Sequence, residues 1–113
     1  MVYLLREAMI NREYSEALMK RKICWPLGMF FMTIEDYEEA ANFEKSLIKE
    51  YHVCPTCGKP IPKEMSPKIM SGLLGSAPNY HEGCFPLELS KMMEKATRKG
   101  NEIALEVWNS LRR

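Results

Sequence analysis

Two pairs of residues with the same spacing constrain this chain more than anything else in it. Cys54-Pro-Thr-Cys57 and His81-Glu-Gly-Cys84 lie within residues 51–85, which hold three of the four cysteines and both histidines. Two ligands separated by two residues reach one ion from a single tight turn, and zinc favours four such ligands drawn from thiolate sulfur and imidazole nitrogen. Gly58 directly follows the second cysteine, where the turn needs positive φ, and Pro55 stiffens it. The spacing therefore predicts one zinc ion held by Cys54, Cys57, His81 and Cys84. All four positions are then filled by protein, so a structural ion is expected rather than a catalytic one. The competing reading of Cys-x-x-Cys is a redox dithiol, but that motif belongs beside a βαβ pattern, which is absent. His52 stands just before the first pair and is read as a polar helix terminus, with replacement of a ligand as the alternative. Cys24 stands apart and is read as a small buried hydrophobe rather than a ligand.

Elsewhere the pattern is helical. Residues 3–22 carry an untidy apolar stripe through Leu5, Ala8, Met9, Ala17 and Leu18, and end in Lys20-Arg21-Lys22 where carbonyl dipoles attract cations. Residues 23–32 are apolar but broken by Pro26 and Gly28, which predicts a turn and then a short strand or buried connector. Residues 33–51 read as a helix capped by Thr33, with Glu35, Asp36, Glu38 and Glu39 early and Lys45 and Lys49 late. Residues 86–112 form the last helix, with Pro86 opening it, so the His81/Cys84 pair is expected at its start. Gly100-Asn101 either divides that helix or only weakens it. The expected fold is mostly α with a small zinc-stabilised β-hairpin: a treble-clef-like module preceded by two helices. A chain of 113 residues suggests a single domain, with a helical part over 1–52 and a zinc-binding part over 53–113.

At the paired ligands a resemblance enters. The run Cys-Pro-Thr-Cys-Gly-Lys-Pro-Ile-Pro-Lys over 54–63, with Asn-Tyr-His-Glu-Gly-Cys-Phe over 79–85, resembles the zinc finger of poly(ADP-ribose) polymerase and DNA ligase type. That family pairs Cys-x2-Cys with His-x2-Cys across a long loop and an aromatic residue. The resemblance implies Cys54, Cys57, His81 and Cys84 as ligands, and binding to DNA through backbone contacts and base stacking. The sequence departs from the family in its loop, where 23 residues separate Cys57 from His81, a few fewer than usual. The spacing is also similar to the first half of a LIM domain, but no Cys or His follows Cys84, which excludes a whole one.

Function is less constrained. Net charge is +1, too balanced to imply a polyanion by itself. Residues 1–52 hold seven Lys/Arg and nine Asp/Glu, while residues 53–113 hold nine and six. The more basic half offers Lys59, Lys63 and Lys68 in the long loop, and Lys91, Lys95, Arg98 and Lys99 on one face of the last helix. Those seven residues are the candidate contacts to nucleic acid, with DNA favoured and a regulatory or accessory role expected. The alternative is a protein-interaction module docking on a larger complex, with its methionines and Trp25, Phe30, Phe31 and Trp108 as an adaptable surface. No nucleophile–base constellation, phosphate-binding glycine loop or HExxH motif is present, so no enzymatic activity and no small-molecule substrate is expected. No run approaches the 18 apolar residues of a membrane span, and the first residues lack the pattern of a secretory signal. An intracellular protein in a reducing compartment is expected.

Overall fold

The computed structural model describes residues 2–50, 52–62, 69–73 and 79–112. Along the chain run α1 (Val2–Ile10), α2 (Arg12–Lys20), β1 (Ile23–Cys24), a 3-10 turn (Pro26–Gly28), β2 (Met32–Thr33), α3 (Ile34–Leu47), β3 (Ile69–Ser71), β4 (Asn79–His81) and α4 (Leu87–Leu111). The chain is mostly helical, as its periodicity predicts. It divides into two compact units, Met1–Glu38 with Met93–Arg113, and Glu39–Met92. The division falls within α3 and within α4.

In the first unit the expected single helix over 3–22 is two. Asn11 interrupts it, with an extended backbone (φ −99°, ψ 105°) and a side chain that accepts the Tyr14 N–H at 3.1 Å. A capping amide competes with the helical hydrogen bond, and here it starts a new helix. The break explains the untidy stripe, since each half has its own apolar face. Leu4 and Ala8 from α1, Tyr14 and Leu18 from α2, Ile23 and Phe31, and Ala104 and Val107 from α4 form the core of this unit. Its aromatic rings meet edge to face: Tyr14 with Trp108 at 5.1 Å and with Phe31 at 6.5 Å, and Trp25 with Phe31 at 6.3 Å. The Tyr14 hydroxyl donates to the Ala104 carbonyl at 2.9 Å, and burial pushes its phenol up to about 12.

Residues 23–33 become a small antiparallel hairpin, Ile23 opposite Thr33 and Cys24 opposite Met32. The connector is thus paired on both sides of its Pro26–Gly28 turn, where a lone strand was one expectation. Thr33 caps α3 as expected, accepting the Asp36 N–H at 3.1 Å. The helix ends at Leu47 rather than residue 51. His52 is therefore not a helix terminus: it lies in a turn with positive φ (64°), and its carbonyl accepts the Ile61 N–H at 2.7 Å.

Helix α4 passes through Gly100 without a break. The reason for the glycine is space, since a Cβ there would collide with the Phe31 carbonyl and lie 2.8 Å from the Met32 nitrogen. Glycine in a helix interior ordinarily costs about 1 kcal/mol relative to alanine. The close approach reverses that sign, and Gly100→Ala is expected to destabilise by about 1–3 kcal/mol, the usual range for overpacking. Asn11→Ala should cost about 1 kcal/mol through loss of the cap. Urea unfolding of both variants checks these values, and a more stable Gly100→Ala would mean the backbone gives way.

A candidate metal centre

The second unit has a small core of Cys54, Ile61, Ile69 and Tyr80, with Cys84 and Phe85 packed against it. Strands β3 and β4 pair antiparallel, Ile69 with His81, Met70 with Tyr80, and Ser71 with Asn79. A single bridge between Val53 and Pro60 closes the first ligand turn. Within it the Cys54 N–H donates to the Lys59 carbonyl and the Gly58 N–H to the Cys54 carbonyl, both at 2.9 Å. Gly58 takes the positive φ its position predicted (74°).

The second pair is placed differently from expectation. His81 is the last residue of β4, and Cys84 follows in a turn whose N–H returns to the His81 carbonyl at 2.9 Å. Gly83 supplies the positive φ of that turn (84°). Helix α4 begins only at Leu87, so this pair is carried by a strand end and a turn rather than by the helix. The expected helix-start site does not form here because two residues, Phe85 and Pro86, intervene.

One ligand atom from each of Cys54, Cys57, His81 and Cys84 falls within 4.8 Å of every other, a group able to hold a metal ion. Cys54 is buried, Cys57 exposed, and His81 and Cys84 partly covered. The imidazole is oriented for the task. Its Nε2 lies 3.1 Å from the Pro60 carbonyl, which can only accept, so the proton sits there. Nδ1 is then left with its lone pair toward the cluster, 3.3 Å from the Cys57 sulfur. Thr56, between the first two cysteines, donates its hydroxyl to the Cys84 carbonyl at 2.6 Å and ties the two ligand turns together.

The thiols are electrically uneven. Burial works to raise Cys54, but backbone N–H groups of Cys57, His81 and Thr56, with the His81 ring, outweigh it and bring the thiol down to about 6. Cys84 goes the other way, up to about 11, through desolvation and then the neighbouring Cys54 and Cys57 sulfurs. Sulfurs held this close cannot all ionise at neutral pH unless a cation offsets their mutual repulsion. The donor set therefore fits a bound metal.

Tyr80, beside His81, is fully buried, and its hydroxyl donates to Oε2 of Glu44 at 2.8 Å. Burial and then the Glu44 carboxylate push the phenol further up, so it stays a donor. Sequence reading passed over Glu44, whose neighbours on the same helix face, Ala40 and Ala41, are the signal that it points inward. Thr56 and the Pro60 carbonyl were also passed over, since neither residue type announces a metal site.

Cys24 lies outside the group, half-buried on β1, with its thiol raised by burial. Lys59 is exposed beside the first turn, whereas Lys63 and Lys68 lie outside the described residues. Lys91, Lys95, Arg98 and Lys99 are all exposed on α4. Arg98 pairs with Glu94 at 3.3 Å and Lys99 with Asp36 at 3.8 Å. No helix among the described residues is long and apolar enough to cross a membrane. No family model, curated protein or solved structure matches the chain.

One metal equivalent per chain is expected by elemental analysis. Cys57→Ser should lose most of the metal and destabilise the second unit by several kcal/mol, on the order of what a structural ion contributes. Cys24→Ser should retain the metal. Equal loss in the two variants would assign Cys24 to the ligand set.

Proposed function

We propose that Cys54, Cys57, His81 and Cys84 hold one structural zinc ion, the first pair on a closed turn and the second on a strand end and the turn after it, and that the chain acts as a docking module for a protein partner. Three sulfurs and one imidazole nitrogen form a donor set suited to zinc, and with four protein ligands the ion has no place for a substrate. The Gly-Lys-Pro-Ile-Pro-Lys run and Tyr80-His81 keep the resemblance to the DNA-break-binding finger in view. The balance between nucleic acid and protein turns on the surface.

The observation that carries the protein reading is an apolar cluster on the first unit. Met9 and Ile10 end α1 with exposures of 66% and 71%, and Met29 follows the 3-10 turn with 53%. The Met9 side chain lies over Gly28, its Cε and Sδ within 3.7 Å of where a Cβ would stand, so the end of α1 meets the 3-10 turn that Met29 follows. Exposed methionines make an adaptable contact surface. The aromatic residues expected there contribute little: Phe31 is fully buried, and Trp25 and Trp108 pack on the core.

Charge supports the same choice. The first unit carries ten Lys/Arg and nine Asp/Glu, the second six of each, so neither is basic. Nucleic-acid binding rests on unpaired cations. Lys59, Lys91 and Lys95 are exposed and make no ion pair among the described residues, which keeps that second reading testable.

The test joins two measurements. A photo-reactive residue at Ile10 is expected to crosslink one defined protein in nuclease-treated extract, and Met9→Lys with Met29→Lys to abolish the product. Titration with duplex, nicked and single-stranded DNA and with RNA is expected to show no binding that weakens with salt. Salt-dependent binding lost in Lys59→Gln, Lys91→Gln and Lys95→Gln would replace the protein reading with the nucleic-acid one.

A further inference from the structure

Among the described residues, Glu44 is the one charged side chain buried from solvent, with 0% exposure. A buried carboxylate is costly unless it is well bonded, so its place calls for a reason. Its surroundings connect it to β4, which carries His81, and to the residue that follows β3. Oε2 accepts the hydroxyl of Tyr80, on β4 immediately before the ligand His81. Gly72, directly after β3, leaves the space the carboxylate fills: a Cβ there would stand 2.8 Å from both Cδ and Oε1 of Glu44. Tyr80 in turn packs its ring edge-on to Phe85 at 5.2 Å, and Phe85 follows the ligand Cys84.

We infer that Glu44 is a positioning residue for the metal centre, acting through Tyr80 on His81 and Cys84. The inference rests on the metal reading and adds a lever to it. The Glu44 bond sets how far β4 advances, which places the His81 ring between the Pro60 carbonyl and the cluster. The Tyr80 ring then fixes Phe85 and the turn bearing Cys84. A packing residue alone would not require a polar acceptor here, since an apolar side chain would fill the volume without the desolvation cost.

The experiment loads the full chain with cobalt(II), whose ligand-field bands report the geometry of the sulfur and nitrogen donors, and then follows zinc release to a chelator. Tyr80→Phe keeps the ring and its contact with Phe85 but removes the donor. It is expected to shift the cobalt bands and to speed zinc release by about 10-fold or more, the range found when outer partners of metal ligands are lost. Glu44→Leu should do the same. Glu44→Gln, whose amide oxygen still accepts the hydroxyl, should stay within about 3-fold of the wild type, well below that range. Leu89→Ala, a buried truncation in the same unit, controls for stability alone. The inference is overturned if Tyr80→Phe leaves the bands and the release rate unchanged, or if Leu89→Ala speeds release as much. Should Glu44→Leu fail to fold, Tyr80→Phe decides. A wild type that takes up no cobalt overturns the metal reading itself, which is a different result from uptake that the variants leave untouched.

Discussion

Three sulfurs and an imidazole lie within 4.8 Å of one another in the second unit, and the sulfurs cannot all be thiolates at that distance without strong repulsion unless a cation lies among them. At Cys54, burial is outweighed by backbone N–H groups and the His81 ring, which bring that thiol down to about 6. The same stabilised charge is part of what holds Cys84 up at about 11. A divalent cation would turn this tension into closure, because it favours the thiolate form of all three cysteines and the neutral imidazole at once. The strand that ends in His81 and its partner are only three residues each, and the turn that holds Cys54 and Cys57 is closed by one bridge. Such elements do not persist by hydrogen bonding alone, since fixing a residue's backbone costs about 1–2 kcal/mol. A bound metal would supply the cooperativity that a larger apolar core otherwise provides.

The first unit is held in another way. Its core interlocks four edge-to-face aromatic contacts with aliphatic side chains from three helices and a hairpin. Backbone passes against backbone at Gly100, where any side chain would intervene. Close packing of this kind is intolerant of added volume but needs no ion. The two units thus use opposite solutions to the same shortage of buried surface in small folds. One is apolar and densely packed. The other sets a buried Glu44–Tyr80 hydrogen bond and the Cys/His group beside a small apolar cluster of Cys54, Ile61, Ile69 and Tyr80.

How much of this could be read from sequence depended on whether the determining interaction was local. The ligand pairs were legible because spacing by two residues is a local geometric demand, and all four residues meet as that spacing required. The Thr33 cap was legible for the same reason. The break at Asn11 was local too, yet asparagine is tolerated within helices, so its capping role competed with a continuous apolar stripe and was missed. Gly100 could not be resolved from its neighbours, because the partner that demands it, the Phe31 carbonyl, lies far away in sequence. Glu44 was illegible for the strongest version of that reason. Its partners, Tyr80 and Gly72, come from strands that no periodicity announces.

The cation face of α4 shows why a pattern of charges is a poor guide to a partner until the pairing is known. In sequence Lys91, Lys95, Arg98 and Lys99 look like four free phosphate contacts. In the structure Arg98 turns to Glu94, and Lys99 to Asp36, with the lysine 60% exposed and the aspartate 25%. Exposed pairs of this sort contribute about 0–1 kcal/mol to stability, so they do not explain the fold. Their effect falls on the surface potential, because each cation already has an anion beside it, and a phosphate must compete with that carboxylate before any counterion is released. Arg21 is in the same position, 3.7 Å from Glu106. Pairing removes two of the four cations from the α4 face and Arg21 from the basic run at the end of α2. Among the described residues Lys20, Lys22, Lys59, Lys91 and Lys95 stay exposed without an ion pair, and Met9, Ile10 and Met29 are exposed apolar side chains on the first unit.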